Sequence, residues 1–455
     1  MAIHRELPDN LHEFASDIVS VPIAERRDGE LLLFLQNKGN CPESLKKLFK
    51  AITSGNVQVD GRPVKAQVLN RADDNKTLVY LDWTTEGNQS LLAPELDIEC
   101  WDAVNDGKHN SNSHLIYWKD EFWLIHANSL YHFATPECKL ILWCSKDAKN
   151  WTQVTTFNVH DEDIRDPKFS IINGKLFIYI LKSFVADSSE PYTTCYTFSE
   201  DGQNWAPLTD LVDNHGWLFW NPKTIDNKTW YVPAYWNGHG NSIMLKTTDG
   251  EKFQYVCYIH RGKVGLVNDR NDETDFDFLG DGTMISTQRL EFNDNSNGNI
   301  NACTNIAICK APYTEFVSLG KDYHTRLDGP SLFSYNGNVY AVGRRNPYEA
   351  DAPNYFGSVF GRKRTSLYQV TKKGLIFITD FPSAGDTSYG GCVLKDGYLY
   401  ASYYSSTLEA DWPWYIGMLS PSNIKMVRVS LNKMEALAEK KRAEYDKDNL
   451  YKLVD

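Results

Sequence analysis

A short turn pattern recurs six times along this chain, and its spacing constrains the fold more than any other feature. Each turn lies between two short apolar runs, and successive turns are 54 to 60 residues apart. Asn-Gly and Asp-Gly between such runs are typical of β-hairpins, because Gly, Asn and Asp readily adopt positive φ. A repeat of about 50 residues with several strands per unit is typical of propeller blades. The turns are centred on Asp120, Gly174, Lys228, Gly282, Gly337 and Gly397. The sequence therefore predicts an all-β fold, a six-bladed β-propeller.

The repeat covers only part of the chain, which indicates three regions. Residues 1–104 lack it and are predicted to form a small accessory region, α+β or mostly β, with a helix at 42–52. Residues 105–432 contain the six units and are predicted to be the propeller. Residues 433–455 are rich in Lys, Glu and Ala, and ion pairs four residues apart favour a C-terminal helix there.

The composition excludes some classes of partner. The net charge of −12 argues against nucleic acid, whose phosphates require a basic surface. No run of 18 apolar residues is present, so no membrane span is expected. Aromatic residues make up 13% of the chain, and their flat rings suit both stacked sheets and the apolar faces of sugars. A carbohydrate partner is therefore favoured, and the oligomeric state is left open.

The cysteines and the N-terminus bear on the compartment. The nine cysteines form no C-x-x-C pair, and the first residues contain no apolar signal-peptide core. A cytoplasmic protein with buried free thiols is expected, or a secreted one if a signal peptide had been removed. No metal site and no cofactor are predicted, because no ligand spacing in the chain is diagnostic.

Three of the six units share a seven-residue motif, of which Ser-Glu-Asp-Gly-Gln-Asn-Trp is the complete copy. The Asp carboxylate is expected to accept backbone N–H groups within a tight turn, while Gly adopts positive φ and the aromatic ring packs between sheets. The copies occupy residues 145–151, 199–205 and 247–253. The motif resembles the Asp box of sialidases and their relatives. This resemblance spans roughly residues 105–432 and implies a six-bladed, mostly glycan-active superfamily in which the Asp of the box is structural.

Candidate site residues follow from the geometry of a propeller, whose innermost strands line a central channel. Polar residues begin the innermost strand of every unit, among them His114, Arg165, Asp166, Glu273 and Tyr389. About 16 residues later, the end of the next strand carries a second set, namely His126, Lys182, Trp236, Arg289, Arg344 and Tyr404. Converging Lys and Arg side chains would form an anion pocket, since Arg binds carboxylates through two hydrogen bonds. The alternative is that these cations are paired with neighbouring acids.

The resemblance to sialidases assigns roles to several of these residues. Sialidases hold the sugar carboxylate with three arginines, use a Tyr nucleophile paired with a Glu, and use an Asp as acid and base. Glu273 and Arg289 resemble the Glu–Arg pair of the fourth blade, and Arg344 resembles the arginine of the fifth. Tyr389 resembles the nucleophile. A Tyr nucleophile suits an anionic sugar, because a carboxylate nucleophile would be repelled.

Two of the family's site residues have no match at their usual positions. The segment that corresponds to the family's first arginine, residues 112–117, contains no Arg. The loop at residues 126–132, where the acid/base Asp is expected, contains no Asp. Arg165 and Asp166 in the second unit are the candidates for these two roles.

The favoured hypothesis is an exo-acting glycoside hydrolase that acts on a glycan with a carboxylate-bearing sugar, sialic or uronic acid. The predicted catalytic residues are Tyr389, Glu273, Asp166 and His126. The predicted substrate-binding residues are Arg165, Arg289, Arg344, Lys182, His114, Trp236 and Tyr404. One alternative is a polysaccharide lyase on uronic-acid glycans, resting on His114 and His126 with Tyr389 or Tyr404 as proton shuttle. The other is a non-catalytic carbohydrate-binding propeller that uses its Trp side chains as stacking platforms.

Overall fold

The structure is a computed structural model that describes residues 90–184, 192–262, 270–293, 300–345 and 362–454, together with five strands nearer the N-terminus. The chain divides into two compact units, Met1–Gln89 and Ser90–Asp455. The helix predicted at residues 42–52 lies outside the described residues. Within the described residues, no helix has the length and apolar character needed to cross a membrane.

The described strands of the first unit form two small antiparallel assemblies. Strands β1 (Glu30–Gln36), β4 (Lys65–Arg71) and β5 (Lys76–Asp82) form a three-stranded sheet in the order β1-β5-β4. Strands β2 (Gln58–Val59) and β3 (Arg62–Pro63) form a short hairpin. Strands β1 and β5 contain continuous apolar runs in which Phe34, Val79 and Tyr80 favour the extended conformation.

The second unit is a six-bladed β-propeller, as the six turns predict. Blade one contains β7 (His109–Trp118), β8 (Glu121–Ser129), β9 (Lys139–Ser145) and β10 (Thr152–Phe157). Blade two contains β11 (Glu162–Ile172), β12 (Lys175–Phe184), β13 (Thr193–Ser199) and β14 (Thr209–Asp210). Blade three contains β15 (Trp217–Phe219), β16 (Trp230–Trp236), β17 (Asn241–Thr247) and β18 (Gln254–Arg261). Within each blade the strands pair antiparallel in chain order.

The remaining blades recruit strands from elsewhere in the chain. Blade four contains β19 (Arg270–Phe278), β20 (Met284–Asn293), β21 (Ile300–Cys309), β22 (Val317–Asp322) and the C-terminal β31 (Leu453–Val454). Blade five contains β23 (Asp328–Tyr335), β24 (Asn338–Arg345), β25 (Arg364–Thr371) and β26 (Gly374–Asp380). Blade six contains β27 (Thr387–Ser388), β28 (Cys392–Lys395), β29 (Tyr398–Ser405), β30 (Asn423–Ser430) and β6 (Glu99–Val104). Strand β6 precedes blade one in sequence and is the outermost strand of blade six, so the two ends of the repeat share one sheet.

The compact units separate at residue 89, whereas the sequence placed the boundary at residue 104. The difference arises because β6 belongs to the sixth sheet and its sequence carries no repeat signal of its own. Two helices flank this sheet, α1 (Trp414–Leu419) and the C-terminal α2 (Leu431–Asp448). Helix α2 buries Met434 and Leu437 against blades five and six. Burying a side chain of this size contributes about 1.5–3 kcal/mol.

The hairpin turns have the geometry that their sequences predict. Two residues separate β7 from β8, and these residues, Lys119 and Asp120, have φ of 50° and 61°. Asn173 and Gly174 between β11 and β12 have φ of 51° and 81°. Positive φ at both central positions matches the right-handed twist of the flanking strands.

The three copies of the seven-residue motif form tight turns between the third and fourth strands of blades one to three. In the second copy, Asp201 Oδ1 accepts the backbone N–H groups of Gln203 and Asn204, each at 2.8 Å. These bonds to the charged form hold the pKa of Asp201 below its usual range. Trp205 packs against apolar residues shared by blades one and two. The carboxylate of the motif therefore organises a turn.

Candidate active site

The innermost strands leave their ladders at equivalent points around the propeller. Bulges interrupt β7, β11, β19 and β23, and in blade six the ladder breaks between β27 and β28. A bulge leaves a residue unpaired and re-aims its side chain. In four blades the interrupting residue lies seven positions before the hairpin turn: Asn112 and Lys119, Asp166 and Asn173, Gly329 and Asn336, Tyr389 and Asp396. The interruptions therefore occur at one level and gather side chains from different blades.

The four interrupting residues share a left-handed backbone. The φ values are 49° at Asn112, 49° at Asp166, 56° at Gly329 and 48° at Tyr389. Asn, Asp and Gly tolerate this conformation, but a bulky aromatic residue rarely adopts it. Strained backbone of this kind costs on the order of 1–3 kcal/mol and clusters at functional sites. Tyr389 is thus held in a costly conformation by the surrounding structure.

Gly329 provides the space that Tyr389 occupies. A Cβ atom at position 329 would lie 2.5 Å from Cδ2 of the Tyr389 ring. The backbone N–H of Gly329 donates to Glu273 Oε2 at 2.7 Å. One glycine therefore packs against the ring of Tyr389 and orients the carboxylate beside it.

The structure brings together three residues of the predicted site, because Tyr389, Glu273 and Arg289 form a hydrogen-bonded cluster. The Tyr389 hydroxyl donates to Glu273 Oε1. Arg289 Nη1 donates to the same Glu273 oxygen at 3.0 Å and to the Tyr389 hydroxyl at 3.4 Å. Glu273 and Tyr389 are each 7% exposed, so the bonds form almost out of water.

Burial sets the protonation behaviour of this cluster. It raises the pKa of Glu273, although Arg289 opposes the shift, because desolvation disfavours the charged carboxylate. It also raises the pKa of Tyr389 well above its usual range, and the negative charge of Glu273 acts in the same direction. The phenol therefore keeps its proton at neutral pH and has a basic acceptor in direct contact.

Asp328 holds the arginines of this region in place. Its carboxylate accepts two hydrogen bonds from Arg326, at 2.5 and 2.8 Å, and two from Arg344, at 3.1 and 3.0 Å. Arg289 Nε lies 3.4 Å from the same carboxylate. Burial alone would raise the pKa of Asp328, yet the three guanidinium groups outweigh it and lower that pKa. Arg344 is 1% exposed, so it supports the site from beneath rather than from its surface.

Asp386 connects this network to blade six. Its Oδ1 accepts hydrogen bonds from Tyr404 Oη at 3.0 Å and Trp414 Nε1 at 2.7 Å, and it lies 3.7 Å from Arg344 Nη1. Its Oδ2 faces His132 and His109. Burial opposes ionisation, but the two imidazoles hold the pKa of Asp386 well below its usual range.

Asp166 enters the centre from blade two. It accepts a hydrogen bond from the Asn112 side chain. The pKa of Tyr404 is raised mainly by burial and by the charge of Asp386, and the charge of Asp166 adds to this shift. Lys168 Nζ lies 3.9 Å from the Asp166 carboxylate and 4.0 Å from the centroid of the Trp220 ring. Burial lowers the pKa of Lys168, with Asp166 and Glu273 opposing the shift. A carboxylate and a buried amine therefore adjoin the Glu273 cluster.

The structure corrects the prediction that every strand-end side chain converges on one pocket. Arg289, Arg344 and Tyr404 do converge, but Lys182 pairs with Glu162 and Asp210 within blade two, at 3.4 and 3.0 Å. The register explains this, because Ile180, rather than Lys182, lies opposite the bulge of β11.

Arg165 and Trp236 also have local partners. Arg165 donates twice to Asp163, at 2.5 and 2.8 Å, and once to the His132 carbonyl at 2.9 Å. Trp236 packs edge-on against Trp217 with ring centroids 5.2 Å apart and is 37% exposed. The Arg165 guanidinium therefore binds protein acceptors, which is the alternative in which a predicted cation pairs with a neighbouring acid.

His114 and His126 are buried and satisfied by protein groups. His114 Nε2 lies 2.9 Å from Asn221 Oδ1, and His126 Nε2 accepts from Trp143 Nε1 at 3.0 Å. Burial lowers the pKa of His114 to about 3 and that of His126 to about 4. Both are neutral at neutral pH, and their contacts are those of packed structural residues.

Sequence reasoning missed Lys168, Asp272, Arg326 and Asp328 as site residues. Asp272 lies 3.4 Å from Arg289 Nε and 3.2 Å from His239 Nδ1. A lysine or aspartate within an apolar strand could have indicated these residues, because such side chains are almost never fully buried unless they are paired. This pattern does not show which residue pairs with the buried charge, because the partner lies on another blade or strand.

The fold is shared with solved sialidases. A Trypanosoma rangeli sialidase mutant displaying trans-sialidase activity superposes with a TM-score of 0.54 and 12% identity over 79% of this chain. Trypanosoma rangeli sialidase in complex with sialic acid gives 0.53 and 11% over 79%. This chain spans 63% and 62% of the length of those two chains. At this identity the likeness concerns the fold alone.

Sequence comparisons add no relative. No family model matches the chain, and no curated protein matches it.

Proposed function

We propose that this protein is an exo-acting glycoside hydrolase that cleaves a glycan at a carboxylate-bearing sugar, sialic or uronic acid. The observation that carries the proposal is the Tyr389–Glu273–Arg289 cluster, in which a strained, buried phenol donates to a carboxylate of raised pKa. A nucleophile hydrogen-bonded to a base that is itself oriented by further groups is the arrangement that covalent catalysis requires. The shared propeller fold supports the proposal.

In the proposed mechanism, Tyr389 Oη attacks the anomeric carbon while its proton passes to Glu273. The glycosidic bond breaks, and Asp166, which has first taken up a proton from solvent, donates that proton to the departing oxygen. Water then attacks the anomeric carbon and gives a proton to Asp166. The bond between that carbon and Tyr389 Oη breaks, and Glu273 returns its proton to the phenolate. Two displacements at one carbon predict retention of anomeric configuration.

The proposed substrate charge rests on the choice of nucleophile. A neutral phenol can approach an anomeric centre that bears a carboxylate, whereas an Asp or Glu nucleophile would meet like charge. Arg289, whose side chain is 13% exposed, and Lys168 are the cations proposed to face the sugar carboxylate. Arg326 and Arg344 act indirectly, by fixing Asp328 beside Arg289.

The test is a panel of 4-methylumbelliferyl glycosides with sialic acid, glucuronic acid and glucose as the sugar. We expect turnover of an acidic glycoside and retention by proton NMR of the first product. Binding of an acidic sugar without turnover would favour a lectin-like propeller, and an absorbance rise near 235 nm with uronate chains would indicate a lyase. Equal turnover of the glucoside would contradict the acidic substrate.

Tyr389→Phe tests the nucleophile. Loss of the hydroxyl should lower kcat/KM at least about a hundredfold, the scale of effects from positioned catalytic groups. Tyr196→Phe is the matched control, because Tyr196, on β13 of blade two, has a similarly buried ring and its Oη donates to Glu251 in the turn between β17 and β18 of blade three. Full activity in Tyr389→Phe, with the control also active, would remove the proposed mechanism.

A further inference from the structure

We propose that His109, His132 and Asp386 bind a divalent transition-metal ion, Zn²⁺ by preference, where blade one meets blade six. His109 Nε2, His132 Nδ1 and Asp386 Oδ2 all lie within 4.8 Å of one another. Two imidazole nitrogens and one carboxylate oxygen are a donor set typical of zinc. The proposal does not depend on the hydrolase function.

The hydrogen bond at His109 Nδ1 orients the ring so that Nε2 faces Asp386. His109 Nδ1 lies 2.7 Å from the Ser420 carbonyl, so this nitrogen carries the proton and donates it. His109 is fully buried, and its Nε2 has no hydrogen-bond partner among the described residues, although Asp386 Oδ2 is only 3.2 Å away. A divalent cation bound between His109 Nε2 and Asp386 Oδ2 would give both buried atoms a partner. A backbone carbonyl that fixes the tautomer of a histidine is also the usual outer partner of a metal ligand.

Asp386 is oriented in the same way. Its Oδ1 is occupied by Tyr404 and Trp414, which turns Oδ2 toward the two imidazoles. Tetrahedral zinc with ligand distances of about 2.0–2.1 Å places its ligand atoms about 3.3 Å apart. The 3.2 Å separation of Asp386 Oδ2 from His109 Nε2 matches that spacing. His132 Nδ1 lies 2.7 Å from the same oxygen, at hydrogen-bond distance, so it would move outward by roughly half an ångström when it binds the ion.

The position of the three residues indicates what the ion would do. His109 begins the innermost strand of blade one, and His132 follows its second strand, with its backbone N–H donating to Met418 near the end of α1. Asp386 begins blade six. The His132 side chain is 20% exposed, which provides a route for the ion from solvent. We infer a structural clasp that joins the first and last blades beside Arg344.

The experiment uses the full chain, stripped with EDTA and then titrated with ZnCl₂ by calorimetry, with metal content measured by mass spectrometry. About one Zn²⁺ per chain should bind, and the midpoint of thermal unfolding should rise with zinc concentration, because binding to the folded state stabilises it. Co²⁺ in place of zinc should give the visible absorption of a tetrahedral site. No stoichiometric binding, or no rise in the midpoint, would overturn the proposal.

Variants locate the site. His132→Ala, which is partly exposed and so tolerant of truncation, should weaken zinc binding by at least about tenfold, the effect that loss of even an outer partner produces. Asp386→Asn should do the same. His160→Ala is the control, because the His160 side chain is 91% exposed and pairs with Asp161. Undiminished binding in His132→Ala, or equal loss in His160→Ala, would place the ion elsewhere and refute the clasp.

Discussion

Arg289 adjusts the acidity of the base that the proposed mechanism uses. Burial raises the pKa of Glu273 and the Arg289 charge, 3.0 Å away, lowers it. In Arg289→Gln the opposing charge is lost, so the pKa of Glu273 should rise further. Because Glu273 must be ionised to accept the phenolic proton, the acid limb of the kcat/KM profile should move to higher pH. A pH–rate profile with the acidic aryl glycoside measures this shift.

The conservative variant separates charge from shape. Arg289→Lys keeps a cation beside Glu273 and should leave the acid limb near its wild-type position, even if KM rises. An equal displacement of the limb in the Gln and Lys variants would show that the positive charge of residue 289 does not govern Glu273.

At the residue scale, the sequence indicated which side chains come together better than which partners each one has. Tyr389, Glu273 and Arg289 were predicted together from a resemblance, and the structure places them within hydrogen-bond distance. The partner of Arg344 was not predicted, since a strand pattern shows which side chains share a face but not which carboxylate of the neighbouring strand lies beside them. Asp328 illustrates this point, because it contacts three guanidinium groups from three different positions of blades four and five.

Among the elements, the three Asp-containing turns offer a comparison within one molecule. Gly202 and Gly250 have φ of 84° and 83°, and Ala148 takes the equivalent place in the first copy with φ of 59°. Left-handed backbone costs an alanine roughly 1–2 kcal/mol. The Ala148 methyl is fully buried, and burial of such a group contributes about 0.8 kcal/mol.

Backbone strain and methyl burial oppose each other at these positions, so replacing Ala by Gly and Gly by Ala should change the free energy of unfolding by different amounts. Ala148→Gly relieves strain but loses burial and adds unfolded-state entropy, so its free energy of unfolding should stay within about 1 kcal/mol of wild type. Gly202→Ala adds the same strain and places a Cβ 2.4 Å from Cη2 of Trp123, so it should destabilise by about 2–5 kcal/mol. Urea unfolding measures both. Similar losses in the two variants would contradict this account.

The ladder interruptions mark the limit of what the pattern of strands predicts. The hairpin turns were predictable because Asn-Gly and Asp-Gly carry a local conformational preference. The bulges were not, because at residues 166 and 329 the same preference is embedded in strands whose residues are almost all buried, so no alternation marks the point of interruption. Their common distance of seven residues from the turn becomes visible only once the blades are aligned. Interruptions at one level in several blades bring side chains from distant segments of the chain into one site.

At the scale of the whole molecule, the site depends on closure of the ring. Glu273 and Tyr389 are separated by 116 positions in sequence and come together from blades four and six. The ring is closed by β6, which pairs with β30, and Trp101 of β6 donates to the Ala148 carbonyl of blade one at 2.9 Å. Such non-local pairing leaves no signature in a sequence window, which is why β6 was assigned to the accessory region.

Two truncations test the role of this strand. Removal of residues 1–89 deletes the first compact unit and keeps β6, so the propeller should retain its midpoint of thermal unfolding and the activity of the full chain. Removal of residues 1–104 also deletes β6, exposes the edge of β30 and breaks the contact with blade one. The longer truncation should unfold at a lower temperature and associate through the exposed edge, because an unpaired strand edge is a template for pairing. Thermal unfolding and size-exclusion chromatography compare the two, and equal behaviour would show that β6 does not close the ring.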